Sequence, residues 1–164
     1  MEEMRIEKKE SFQIIGFPIH TTNRKKQASK AILEHWKQFH EANFIDQLIP
    51  LMDQKGDGIL GVNVYNVDKD DAKKLDYYIA VASSKTANDL VTYQVPECLW
   101  AIFPCTTDTI GKTEVMAISK WLPKSQYKPL NSGYITGKMK SQAPDIEYYG
   151  QDHYAEVWIA VRKK

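Results

Sequence analysis

Three short strings recur along this chain at nearly constant spacing, and they constrain its fold more than any other feature. Tyr78-Ile79-Ala80-Val81 returns as Trp158-Ile159-Ala160-Val161, 80 residues on. Gly61 to Asn66 aligns with Asp145 to Gly150 at a spacing of 84, which sets Tyr65 opposite Tyr149 and Asn63 opposite Glu147. Trp36 and Trp121 follow at 85, each in a stretch of helical spacing. Short β-rich strings resemble one another by chance, but three in the same element order predict a duplicated unit. The repeat covers residues 10–83 and 98–162, each half a strand–helix–strand–strand run.

The local signals place the elements. Residues 10–19 read as a first strand with a break near Gly16 and Pro18. Thr21, Thr22 or Asn23 can cap a helix from Gln27 to about Phe44, whose stripe runs through Ala28, Ala31, Ile32, His35, Trp36, Phe39 and Asn43. Lys55-Gly56-Asp57-Gly58 is a turn signal. Ile59–Asn66 and Leu75–Ser83 alternate as strands and read as a hairpin; Leu90–Val95 and Cys98–Cys105 are further strands. A second helix runs from Ile110 to Trp121 and is stopped by Pro123. A polar stretch containing Gly and Lys leads to a strand in Ala143–Gly150, and Tyr154–Val161 is the last strand.

Each half then lays one helix on antiparallel strands, an α+β arrangement with both helices on one face and a ligand cleft on the other. Side chains alternate along a strand, so each strand divides its residues between the faces. Val62, Val64, Ile146 and Tyr148 are expected on the helix side, with Ile79, Val81, Val157, Ile159 and Val161. The helix-free face is then expected to hold Tyr65, Tyr78, Trp100, Tyr149 and Trp158, with Glu147 and Glu156 among them. Trp36 is placed to reach the cleft from one end. Aromatic rings around a carboxylate suit a bulky lipophilic cation, held by cation–π attraction and a charge pair. Such a face also suits a homodimer interface.

Composition excludes more than it selects. The 164 residues suit one domain, and the net charge of +1 gives no bulk pull toward nucleic acid or anionic lipid. The charged N-terminus has no signal-peptide core, and no run is long and apolar enough to span a membrane, which points to the cytoplasm. Cys98 and Cys105 read as core thiols, not as a disulfide framework or nucleophiles. His35 and His40 are misspaced for a shared metal, and His20 and His153 have no Cys or acidic partner at ligand spacing. No nucleophile elbow, Gly-rich phosphate loop or metal spacing is present, so neither metal nor cofactor is expected. Arg162-Lys163-Lys164 reads as a solvated tail.

Five segments together resemble the gyrase-inhibitor-like domain, which is also the effector-binding module of many bacterial multidrug-responsive transcription activators. They are Tyr77–Ala82, Val95–Phe103, Trp121-Leu122-Pro123-Lys124-Ser125-Gln126-Tyr127, Pro144-Asp145-Ile146-Glu147-Tyr148-Tyr149 and Glu156–Val161. The resemblance covers essentially the whole chain and implies a single effector-binding-like domain over residues 1–164, with a central cleft for lipophilic, often cationic, ligands. The family's pocket glutamate matches Glu147 and its last-strand acidic position Glu156. The chain departs from the pattern at Ala160, where the family has Pro, and at Trp100, where Tyr is common. No length is left for a helix-turn-helix, so the chain reads as the stand-alone module, without direct nucleic-acid binding. The resemblance also implies two alternatives. One is hydrolysis of cyclopropane-bearing genotoxins, with a pocket Glu and Tyr65 or Tyr149. The other is a protein-interaction role, modulating DNA gyrase or a regulator.

Overall fold

The alternating strings become nine strands of one antiparallel sheet in the computed structural model, which describes residues 3–53, 58–131 and 141–164. The strands are β1 (Arg5–Lys9), β2 (Phe12–Thr22), β3 (Ile59–Val64), β4 (Lys74–Ala82), β5 (Val91–Val95), β6 (Cys98–Thr106), β7 (Tyr127–Pro129), β8 (Asp145–Tyr149) and β9 (Tyr154–Lys163). Eight of them lie in the order β1-β6-β9-β8-β3-β4-β2-β5, and β7 takes over from β8 along the end of β9. Where β8 stops, the Asp145 carboxylate accepts from the Ala160 N–H at 3.3 Å, so the gap between β8 and β7 leaves no ladder donor idle. Residues 55–57 of the expected turn and 132–140 of the polar stretch lie outside the described residues.

Three helical segments complete the architecture: α1 (Gln27–Glu41), a short α2 (Ile45–Leu48) and α3 (Ile110–Met116). The α3 segment continues through a π turn at Ala117–Trp121 into Leu122–Lys124, so Pro123 does not stop it but sits in its last turn. A π turn offsets the backbone hydrogen bonds by one residue, which relieves the demand for an N–H at the proline. Among the described residues, no helix is long and apolar enough to cross a membrane.

The expected break in the first strand is absent. β2 pairs with β4 without interruption from Ile14↔Ala82 to Thr22↔Lys74. Past Gly16 it has no partner on its other side, because β5 ends at Gly16↔Val91. An open side tolerates the N–H that Pro18 lacks. β1, Arg-Ile-Glu-Lys-Lys, escapes a reading of apolar alternation because it is an edge strand, and edges carry charge to discourage further pairing.

Two apolar layers flank the sheet. Under α1, Ile15, Tyr77, Ile79 and Val81 pack with Phe39, Ile32 and Trp36. Beside α3, Ala101, Phe103, Val157, Ile159 and Val161 pack with Ile110, Ala117 and Leu122. The helix-free face is also a core: Ile14, Val62, Val64, Tyr78, Trp100, Ile102, Ile146 and Trp158 form one buried cluster there. The expected faces of β3 and β8 are therefore inverted. Val62 pairs with Tyr78 and with Ile146, which pairs with Trp158, and all four lie on the helix-free side. Helix contact cannot be read from apolar character when both faces are buried.

At Gly16 the backbone of β4 comes close to β2. A Cβ there would run into the Ile79 carbonyl and Ala80 on β4, and backbone cannot yield as a flexible side chain does. Gly16→Ala should lower stability by about 1–3 kcal/mol, read as a lower urea midpoint at unchanged slope. An unchanged midpoint would show that β2 and β4 can part freely there.

Candidate functional site

The local geometry of β8 starts from a glycine. Glu147 pairs across to Gly61 on β3 and to Val157 on β9. A Cβ on Gly61 would collide with the Tyr77 hydroxyl and with Glu147 Oε1, so the missing side chain is what makes room for the carboxylate. Glu147 thus lies on the helix face, not on the helix-free face expected for it.

Its surroundings are aromatic and donor-rich. The Tyr77 hydroxyl donates to Glu147 Oε1 at 2.8 Å, and Tyr149 donates to the same oxygen at 3.3 Å. Trp36 Nε1, from α1, donates to the Tyr77 hydroxyl at 2.8 Å. The Trp36 ring meets Tyr149 edge-on at 4.9 Å and stacks on His40 at 5.8 Å. Tyr77 is fully buried, and Glu147, Tyr149 and Trp36 are partly so. The three-membered relay from indole to phenol to carboxylate ties α1 to the centre of the sheet.

The electrostatics are one-sided. Burial raises the Glu147 carboxyl above its ordinary range, against the two tyrosine donors, which lower it. Glu114, on α3, is pushed up to about 8, first by burial and then by the charges of Glu147 and Asp145. Asp145 is raised to about 7 by burial, with the Ala160 N–H and Asn131 holding it down. Burial and the Glu147 charge likewise push the Tyr77 and Tyr149 phenols upward, so both remain donors. Among the described residues, neither Glu147 nor Glu114 forms an ion pair. Desolvated carboxylates without a cation are poised to gain from one.

The other sequence-derived candidates divide between places. Tyr65 is buried with Ala28, Leu75 and Ile32 near the start of α1. Tyr78, Trp100 and Trp158 join the helix-free core, where Trp100 and Trp158 meet edge-on at 5.9 Å and, among the described residues, Trp100 Nε1 has no hydrogen-bond partner. Glu156, on that same side, accepts from Tyr154, Trp158 and Arg5. Glu147, Tyr149 and Trp36 are thus brought together, and Glu156 with Trp158, on opposite faces. Two residues of the Glu147 site were missed. Tyr77 shares strand parity with Ile79 and Val81, already assigned to the helix side, and that parity was the available signal. Glu114 lies one helical turn beyond Ile110 on the stripe of α3 that packs on the sheet, a placement that is read only once α3 is docked.

The thiols and histidines follow simpler rules. Burial pushes Cys98 up to about 12, which leaves it an inert core thiol. His35 Nε2 donates to the Phe17 carbonyl at 2.7 Å and helps seat α1. Among the described residues, no three His, Cys, Asp or Glu side chains form a group able to hold a metal ion.

The fold has counterparts in solved structures. SAV2435, in a structure bound to tetraphenylphosphonium, superposes with a TM-score of 0.76 at 18% identity, covering 98% of this chain and 94% of its own. A putative bacterial transcription regulation protein from Staphylococcus aureus MU50 gives 0.73 at 16%, covering 98% of each chain. An integron cassette protein from Vibrio cholerae gives 0.62 at 20%, covering 98% and 97%. At these identities the likeness establishes a shared fold. Comparison with curated proteins finds no match. Residues 5–161 match the Cass2 family, and the chain belongs to these integron-associated effector binding proteins.

Proposed function

We propose that this protein binds a lipophilic organic cation, with Glu147 as its charge anchor and Trp36 and Tyr149 as the aromatic walls. The observation that carries the proposal is the Glu147 carboxylate, desolvated, held by two tyrosine hydroxyls and lacking a cationic partner among the described residues. A delocalised cation costs little to desolvate, and it gains both from the ring faces and from the carboxylate. A hydrated ammonium or metal ion would lose more water than this site replaces. The tetraphenylphosphonium bound by SAV2435 has the chemistry this site favours.

We also infer that the fold is a duplicated unit and that the lopsided charge of the site arises within it. The register supports this in four strand pairs. Val62 pairs with Tyr78 as Ile146 pairs with Trp158, and Gly16 pairs with Ala80 as Trp100 pairs with Ala160. The central pair is Val62↔Ile146, each the repeat mate of the other, as a two-fold axis between β3 and β8 requires. The edge strands are exchanged: β1 leads into β2 but pairs with β6, while β5 leads into β6 but pairs with β2. Glu147 then answers to Asn63, whose neutral amide reaches the Asp145 carbonyl at 3.4 Å. One half supplies the charge and the other supplies none.

Tetraphenylphosphonium titrated calorimetrically should bind with a single dominant site, and Glu147→Gln should weaken it at least about tenfold, the effect of losing about 1.4 kcal/mol of charge pairing. Equal affinity in the variant would remove Glu147 as anchor.

The raised carboxyls set the pH response. Glu114 and Asp145 hold protons more tightly folded than unfolded, so their contribution to stability is fully present below their ordinary carboxylate values. It is lost as pH rises through about 7 for Asp145 and about 8 for Glu114. The ligand-free protein should therefore melt at lower temperature at pH 8 than at pH 6. Cation affinity should move the other way, by at most about tenfold per pH unit for each proton released. Affinity flat between pH 6 and 8 would mean that no carboxyl of the site titrates there.

A further inference from the structure

We propose that two copies of this chain join edge to edge through β5, so that one antiparallel sheet runs on across a two-fold axis. The order of paired strands ends in β1 on one side and β5 on the other, and the two edges differ in kind. β1 is guarded. Two copies paired antiparallel about Glu7 would set Glu7 against Glu7 and Arg5 against Lys9, like charges in direct opposition. β5, Val-Thr-Tyr-Gln-Val, carries no charge. The nearest charged residues, Asp89 and Glu97, lie outside the strand, and Glu97 is paired with Lys8 at 3.3 Å. Among the described residues, no strand pairs with the outer side of β5, and an uncharged open edge is a template for another strand.

The backbone fixes which groups β5 offers. The Gln13 carbonyl accepts from the Ser83 N–H at 2.9 Å, so Gln13 turns its backbone toward β4 and its neighbour Ile14 turns toward β5. Ile14 and Tyr93 are then a hydrogen-bonded pair. Val91, Tyr93 and Val95 direct their N–H and C=O groups to β2, and Thr92 and Gln94 present theirs outward. The flanking positions add no free donor. The Leu90 N–H donates to the Ala87 carbonyl, and Pro96 has none. An antiparallel second copy therefore meets all the outward groups in one register, with Thr92 of one copy opposite Gln94 of the other and Tyr93 on the axis.

The side chains suit the same register. Thr92 and Gln94 are both exposed. Gln94 Nε2 donates to Ser11 Oγ at 2.7 Å, and the amide oxygen is an acceptor for the Thr92 hydroxyl of the other copy. On the opposite face of the strand, Val91 meets Val95 and Tyr93 meets Tyr93. Val95 belongs to the helix-free core and Tyr93 packs against it, so pairing carries that core through the axis and covers Val91, which is 44% exposed. Each copy uses its β5 edge once, and the pair is closed, with the charged β1 edges facing outward. Strands β2, β4 and β3 separate β5 from β8, so the contact leaves the Glu147 site untouched.

Sedimentation velocity on the intact chain should show a reversible passage from monomer to dimer over about 1–100 µM, as a small interface gives. Thr92→Lys together with Gln94→Lys sets the introduced lysines against each other and should weaken the dimer at least about tenfold. Thr92→Lys together with Gln94→Glu sets opposite charges in both pairs across the axis and should restore it. A monomer at every concentration, a dimer undiminished by the two lysines, or a Lys–Glu variant that stays monomeric would each overturn the proposal. Both positions are exposed, and an unchanged melting temperature in dilute solution separates lost pairing from lost fold. Phosphonium binding at Glu147 is measured separately, so the two readings fail independently.

Discussion

A carboxylate in the middle of a sheet needs space, donors and a reason to stay, and the pairing of Glu147 with Gly61 supplies the first. In an antiparallel pair, the side chains of opposed residues stand side by side on one face. With a side chain at Gly61, the Tyr77 hydroxyl and the Glu147 carboxylate could not both occupy that volume. Without one, they meet, and Trp36 reaches down from α1 to complete the relay. The position of α1 over the sheet is therefore coupled to the charge state of one carboxylate. If Glu147 is neutralised by protonation, the Tyr77 donor loses a charge-assisted acceptor, and the tie to Trp36 weakens with it.

Much of the fold was legible because strand alternation and helical spacing are strong signals. The hairpin of β3 and β4, the two long helical stretches and the final strand follow from their apolar patterns, and Ile79, Val81, Val157 and Ile159 pack beneath helices as expected. Face assignment failed where both faces are apolar. Val62 and Val64 look like residues that seek a helix, but the helix-free side is itself a core holding Trp100, Tyr78 and Trp158, and those valines belong to it. Strand parity is internal to each strand, whereas its phase relative to a helix depends on the cross-strand register. The register sets Asn63 beside Tyr77 and Gly61 beside Ile79, and so carries the centre of β3 to the opposite side from the one inferred.

The candidate site was legible in part for the same reason. Glu147 stood out as a charge inside an apolar string, and Trp36 and Tyr149 do surround it. Tyr77 lies outside the expected site because the cleft is expected on the helix-free face, which Tyr78 shares and Tyr77 does not. Glu114 cannot be told from a solvated helix glutamate until α3 is docked, since its raised titration comes from burial and from charges on β8. β1 was invisible for a different reason: its alternation is between charges and a single isoleucine, a pattern that makes sense only at an edge.

The two faces of the sheet treat buried charge in opposite ways, and the difference lies in which strand supplies the counter-charge. At Glu156 the counter-ion is built in, because edge strand β1 delivers Arg5 to it and Lys9 to the neighbouring indole. At Glu147 the two neighbouring strands supply Gly61 and Val157, and α1 supplies an indole that donates to its Tyr77 partner. A buried ion pair is energetically close to neutral when complete and costly when one member is missing. The first carboxylate is complete as folded, with Tyr154, Trp158 and Arg5 all donating to it. The second forms no ion pair among the described residues, and two tyrosine hydroxyls answer its burial instead. β1 precedes β2 in the chain but pairs with β6, and this crossing is what brings Arg5 to Glu156 while leaving Glu147, at the centre of the sheet, beside no edge strand.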